Sequence, residues 1–184
     1  MAMVLVRFKK VRGLGLMGGM ITGPLVMPDV IIGLSLLLLF VSMQSLIGWP
    51  AGRGLTTILI AHITFNMAFV TVVVQSRLSD MDDSIEEAAL DLGASPTRVF
   101  FDITLPMITP ALISGWLLAF TLSLDDLVIS SFVSGPGATT LPMVIFSKVR
   151  LGVSPDINAL ASLIVLAVSI GIVISAILMR KKRK

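Results

Sequence analysis

The chain has 184 residues, of which 55% are hydrophobic and only 14% charged, with a mean hydropathy of +1.00 and a formal charge of +3. A soluble domain carries about 25% charged residues, and one small core has no room for this much apolar surface, so a soluble globular protein is excluded. Cysteine is absent, which rules out a disulfide framework and a thiolate metal centre.

The first eight residues are apolar apart from Arg7 and are followed by Lys9, Lys10 and Arg12. They are too short to span a bilayer, and a signal peptide carries its charges before the apolar run rather than after it. They read as the last turns of a helix. The first span is expected over 16–47. It contains Pro24 and Pro28, each of which removes a backbone donor, so a bent or broken helix is predicted. The unbroken run from Leu34 to Phe40 lacks the alternation of a barrel strand. Gly48, Trp49, Pro50, Ala51 and Gly52 form a turn with Trp49 suited to the membrane interface. A second span, 55–75, returns the chain.

Between 77 and 106 the character changes, because seven of the chain's eleven acidic residues fall there. Ser84, Ile85, Glu86 and Glu87 read as a capping box, with acidic side chains near the positive end of the helix dipole. Ile85, Ala88, Ala89 and Leu92 follow at helical spacing. Gly93 sits where a left-handed cap is needed, and Ser95 with Pro96 restarts a second short helix. A third span is expected over 107–133, ended by Gly135, Pro136 and Gly137. An interfacial segment begins at Thr140, Leu141 and Pro142. A last span, 157–179, is announced by Ser154, Pro155 and Asp156 and stopped by Arg180, Lys181, Lys182, Arg183 and Lys184. The prediction is an all-α polytopic membrane bundle of four spans, each near or above the roughly 20 residues a helix needs to cross.

Eleven of the fourteen basic residues lie in three clusters, at 7–12, at Arg77 and Arg98, and at the C-terminus. Four crossings put all three on one side, which the positive-inside rule makes the cytoplasm, leaving Arg53, Lys148 and Arg150 outside. A nucleic-acid patch is disfavoured, since the clusters adjoin membrane helices and need only lipid for a neighbour.

The insert carries Glu87, Ala88, Ala89, three residues, Gly93, nine residues, then Ile103, Thr104, Leu105 and Pro106. This fills every fixed position of the EAA signature and resembles the membrane subunits of bacterial ATP-binding-cassette importers. From Leu122 to Val133, and again from Gly152 to Ala161, the chain resembles the spermidine/putrescine branch, most closely its putrescine permeases, as do Pro28 and Asp29. The resemblance implies a type I importer permease with a cytoplasmic coupling helix. Its partners would be ATP-binding-cassette ATPase subunits, a second permease subunit and a periplasmic polyamine-binding protein. It implies coupling roles for Glu87, Ala88, Ala89, Gly93, Leu105 and Pro106. Such permeases usually have six spans, so an N-terminally truncated chain, or one whose start is set too late, is expected.

Asp29 lies near the middle of the first span by the ~1.5 Å rise per residue, and Asp125 and Asp126 lie towards the far end of the third. Carboxylates in lipid cost several kcal/mol, so these three are expected to line a path for a cationic polyamine. Asp29 after Pro28 also suits a helix cap, and the aspartate pair suits a helix end. His62 and Asn66, at i and i+4, are expected to hydrogen-bond between helices rather than to bind cargo. There is one histidine, no nucleophile elbow and no phosphate loop. ATP hydrolysis is therefore assigned to a partner subunit, and no cofactor or metal is expected. Two readings compete: the same machinery with another small solute as cargo, and a non-transporting remnant that only binds the ATPase.

Overall fold

The computed structural model describes residues 1–7, 13–152, 155, 158–166 and 168–170. They fall into two units, Met1–Thr139 and Thr140–Lys184. The first unit is organised around a long helix, α4 (Leu55–Ser79), preceded by α1 (Ala2–Arg7), α2 (Leu14–Val26) and α3 (Asp29–Ile47). After α4 come α5 (Asp83–Asp91), α6 (Pro96–Val99), a π-helical turn (Phe100–Thr104), α7 (Leu105–Asp125) and α8 (Val128–Val133).

Thr57, Ile58, Ala61, Phe65, Ala68, Thr71, Val74 and Leu78 form the buried stripe of α4, the three-and-four spacing of a helix face turned to its neighbours. Two cores form along it. At the Leu55 end, Ile58, Ala61 and Phe65 meet Ile32 and Phe40 of α3 and Ile129 and Val133 of α8. At the Ser79 end, Val74 and Leu78 meet Ala2, Met81 and Ile108. Helices in lipid gain little from hiding apolar surface from one another, so close backbone approach through small residues decides which faces meet. Ala61 and Ala68 are buried in α4. A Cβ at Gly115 of α7 would stand 3.1 Å from Val70 Cγ1, and one at Gly33 of α3 would stand 2.7 Å from Phe132 Cδ2 and 3.3 Å from Ile129 Cα. Gly33 is thus what lets α8 lie against α3.

Among the described residues three helical stretches are long and apolar enough to cross a membrane: Asp29–Ile47 (19 residues), Leu55–Ser79 (25 residues) and Pro96–Asp125 (30 residues), the last running through the π-helical turn. Their outward faces, including Leu38, Leu39, Ile63, Trp116 and Leu117, are exposed, as lipid-facing or partner-facing surfaces must be. The stretch 16–47 is two helices, α2 and α3, parted at Met27 and Pro28. Pro24 is carried inside α2, so the break falls at the second proline, which lacks the amide that would continue the ladder. The stretch 107–133 is likewise two helices and not one, since α7 stops at Asp125 and α8 restarts at Val128.

In the second unit, α9 (Leu141–Leu151) has Pro142 in its first turn and Lys148 and Arg150 in its last, the polarity the helix dipole favours. Arg150 stacks over the Phe146 ring at 5.4 Å. A shorter apolar helix, Asn158–Ile170, follows. The rest of the expected last span, the C-terminal basic cluster, and Lys9, Lys10 and Arg12 lie outside the described residues.

Candidate functional site

The acidic segment after α4 is an elbow of two short helices. Its N-cap is Asp82 rather than the expected Ser84: the Asp82 carboxylate accepts the Ser84 amide at 3.0 Å. Met81, just before the cap, is buried at the foot of α4. The Ser84 amide, and then its side chain, hold the Asp82 carboxyl below its usual value of 3.8.

At the far end of α5, Gly93 has φ +84°. The Gly93 amide donates to the Leu90 carbonyl at 2.9 Å and the Ala94 amide to the Ala89 carbonyl at 3.1 Å, which is the Schellman pattern. Nothing lies within 4 Å of a Cβ placed there, so backbone conformation and not space calls for glycine. Ser95 then caps α6 by accepting the Arg98 amide at 3.4 Å, with Pro96 at the first helical position.

No residue of α5 is buried. Glu87 and Ala88 are exposed, Ala89 is half-buried, and Leu92 is 89% exposed beside a partly exposed Ile85. The elbow thus presents carboxylate, small and apolar surface outward. Leu105 is half-buried and Pro106 exposed at the start of α7. The contacts holding α5 inward are polar. Thr104 Oγ1 donates to Glu86 Oε1 at 2.7 Å, Arg7 Nη2 stands 3.2 Å from the same oxygen, and Arg7 also pairs with Asp83. Glu86 precedes the motif by one residue. Its role is invisible in the sequence because Arg7 and Thr104 are distant along the chain.

The second cluster lies at the α7–α8 break. Asp126 Oδ1 accepts the Ile129 amide at 3.0 Å, and Oδ2 accepts the Ser130 amide at 2.8 Å and the Ser130 hydroxyl at 2.7 Å. His62 Nε2 on α4 stands 3.0 Å from the same Oδ2 and 3.1 Å from Ser130 Oγ. Asn66 Nδ2, one turn along, donates to Ser123 Oγ at 2.7 Å. His62 and Asn66 therefore bond between helices, as their spacing suggests. Asp126 is committed to capping α8 and tying it to α4. Two further bonds secure α8: the buried Thr57 hydroxyl donates to the Val133 carbonyl at 2.7 Å, and Arg53 Nη1 donates to the Phe132 carbonyl at 3.3 Å.

Asp125, by contrast, is exposed at the end of α7. Asp29 is exposed in the first turn of α3, where it faces the helix dipole but makes no side-chain cap. The structure does not bring Asp29 into the Asp126 cluster. Among the described residues no group of three or more histidine or carboxylate side chains is placed to hold a metal ion.

Residues 1–181 match the family described as the binding-protein-dependent transport system inner membrane component. The chain is 67% identical over 183 residues to the putrescine transport system permease protein PotI of Escherichia coli (strain K12), covering 100% of this chain and 65% of that protein. It is 42% identical over 180 residues to the spermidine/putrescine transport system permease protein PotC of Haemophilus influenzae, covering 98% of this chain and 67% of the relative. With PotC of Escherichia coli (strain K12) the identity is 40% over 183 residues. The chain thus spans about two thirds of the length of these relatives. With residues 1–181 matched and helices long and apolar enough to cross a membrane, the chain belongs to the inner membrane components of binding-protein-dependent transport systems.

Proposed function

We propose that the chain acts in a permease subunit of an ATP-driven polyamine importer, with putrescine as the preferred cargo. The identity to a putrescine permease along the whole of this chain is the observation that carries the reading. The permease pairs with a second permease subunit, receives cargo from a periplasmic polyamine-binding protein, and is driven by cytoplasmic ATPase subunits. The C-terminus faces the cytoplasm, on the side of the elbow.

The elbow suits the coupling role. It is capped at both ends, so it moves as a rigid piece, and its outward face offers Glu87, Ala88 and Ala89 to a partner. Gly93 sets the angle between α5 and α6, while Leu105 and Pro106 begin the helix that receives the motion. For the path, Asp29 and Asp125 are the exposed carboxylates, able to replace water around a diammonium cation. Asp126 adds negative charge behind Asp125, its own oxygens already occupied.

The test is labelled putrescine uptake by proteoliposomes containing the permease pair, the ATPase and the binding protein. Uptake is expected to be competed by spermidine and not by a sugar or a neutral amino acid. Asp125→Asn is expected to lower it about tenfold, equivalent to ~1.4 kcal/mol. Unchanged uptake and unchanged cation preference in Asp125→Asn would remove Asp125 from the path.

A further inference from the structure

We infer that Arg7, Glu86 and Thr104 form a latch that positions the elbow on the membrane bundle, so that a displacement of α5 is passed to α7. The inference rests on the coupling reading above and adds to it the residues through which the push travels.

None of the residues of α5 is buried, so core packing does not set its position against the bundle; among the described residues the buried apolar anchors flanking it are Leu78 and Met81 before the helix and Val99 after it. What remains is polar and lies on one face. Asp83 and Glu86 are three residues apart and so lie side by side on the helix, and both pair with Arg7. Glu87, one residue on, is turned some 100° away and is exposed. The two adjacent glutamates therefore divide the work: Glu87 faces outward, and Glu86 faces the bundle.

Glu86 joins three elements at a single oxygen. Oε1 receives the Thr104 hydroxyl at 2.7 Å and stands 3.2 Å from Arg7 Nη2. Thr104 is 1% exposed and ends the π-helical turn directly before Leu105, the first residue of α7. Arg7 is the last residue of α1, which packs on α4, and its side chain is 14% exposed. The Thr104–Glu86 hydrogen bond, charged on one side and shielded in this way, is stronger and more directional than a surface ion pair, and Arg7 stands beside it as a charge partner. Among the described residues neither Arg7 Nε nor Nη2 makes a hydrogen bond, so the carboxylates compensate this largely buried cation through charge, and their withdrawal leaves it unpaired. A π-helical turn also relaxes the regular ladder, which lets the segment from Phe100 to Thr104 shift with the elbow while α7 keeps its own bonds.

The experiment uses the complex of permease pair, ATPase and binding protein in proteoliposomes. It measures ATPase retained on purification, basal ATP turnover, and turnover with putrescine-loaded binding protein. Thr104→Val, nearly the same volume without the hydroxyl, and Glu86→Gln are expected to keep the ATPase and the basal rate. The stimulated-to-basal ratio should fall about tenfold, the scale of one lost charged hydrogen bond. Thr104→Ser should restore the ratio, which a purely volumetric role would not do. An unchanged ratio in Thr104→Val and Glu86→Gln overturns the inference alone. Loss of ATPase in parallel with loss of stimulation also overturns it, since the residues would then serve docking. A wild-type complex with no cargo stimulation overturns the coupling reading itself, and the latch with it.

Discussion

Asp82 shows how much a single side chain decides at the start of the elbow. Its carboxylate accepts the Ser84 amide, and that bond favours the ionised form, holding the folded pKa below the usual 3.8. A group whose pKa is depressed on folding stabilises the fold above its unfolded pKa. That stabilisation is lost as pH falls through the lowered folded value. Amide protection at Ser84 should therefore persist from neutral pH into the ordinary carboxylate range and fail only below it. Asp82→Ala should remove that protection throughout, and equal protection in variant and wild type by hydrogen exchange would refute the cap. The sequence points to Ser84 as the cap, because Ser84 and Glu87 have capping-box spacing, whereas the helix starts two residues earlier with Asp82 as its cap.

At the scale of elements, the clearest device is the seat that α3 provides for α8. A side chain at Gly33 must meet Phe132 and the Ile129 backbone, and overpacking of this kind costs about 1–3 kcal/mol. Gly33→Val should lower the thermal midpoint of the detergent-solubilised protein. Gly19→Ala, in α2 with nothing within 4 Å of its Cβ, should leave the midpoint unchanged or raise it. Equal effects at the two positions would contradict the seat. The helices themselves were legible because long apolar runs in a bilayer must close their own hydrogen bonds. The break after Asp125 was legible only as an alternative, since the aspartate pair suits a helix end while the apolar run from 107 to 133 reads as one span. The Schellman end of α5 and the Ser95–Pro96 start of α6 were legible, since both rest on local backbone chemistry. The latch was not, since its three members lie on separate elements far apart in sequence.

For the whole molecule, the account turns on the side of the membrane the elbow occupies. Everything proposed about coupling, about the latch and about the ATPase partner requires α5 in the cytoplasm. The chain has no cysteine, so one introduced at Leu92, 89% exposed at the end of α5, reports that side directly. Treated with a membrane-impermeant maleimide, the Leu92→Cys complex should be labelled in inside-out vesicles and not in intact spheroplasts, and bound ATPase should protect it. Labelling from the outer face of spheroplasts would contradict the account.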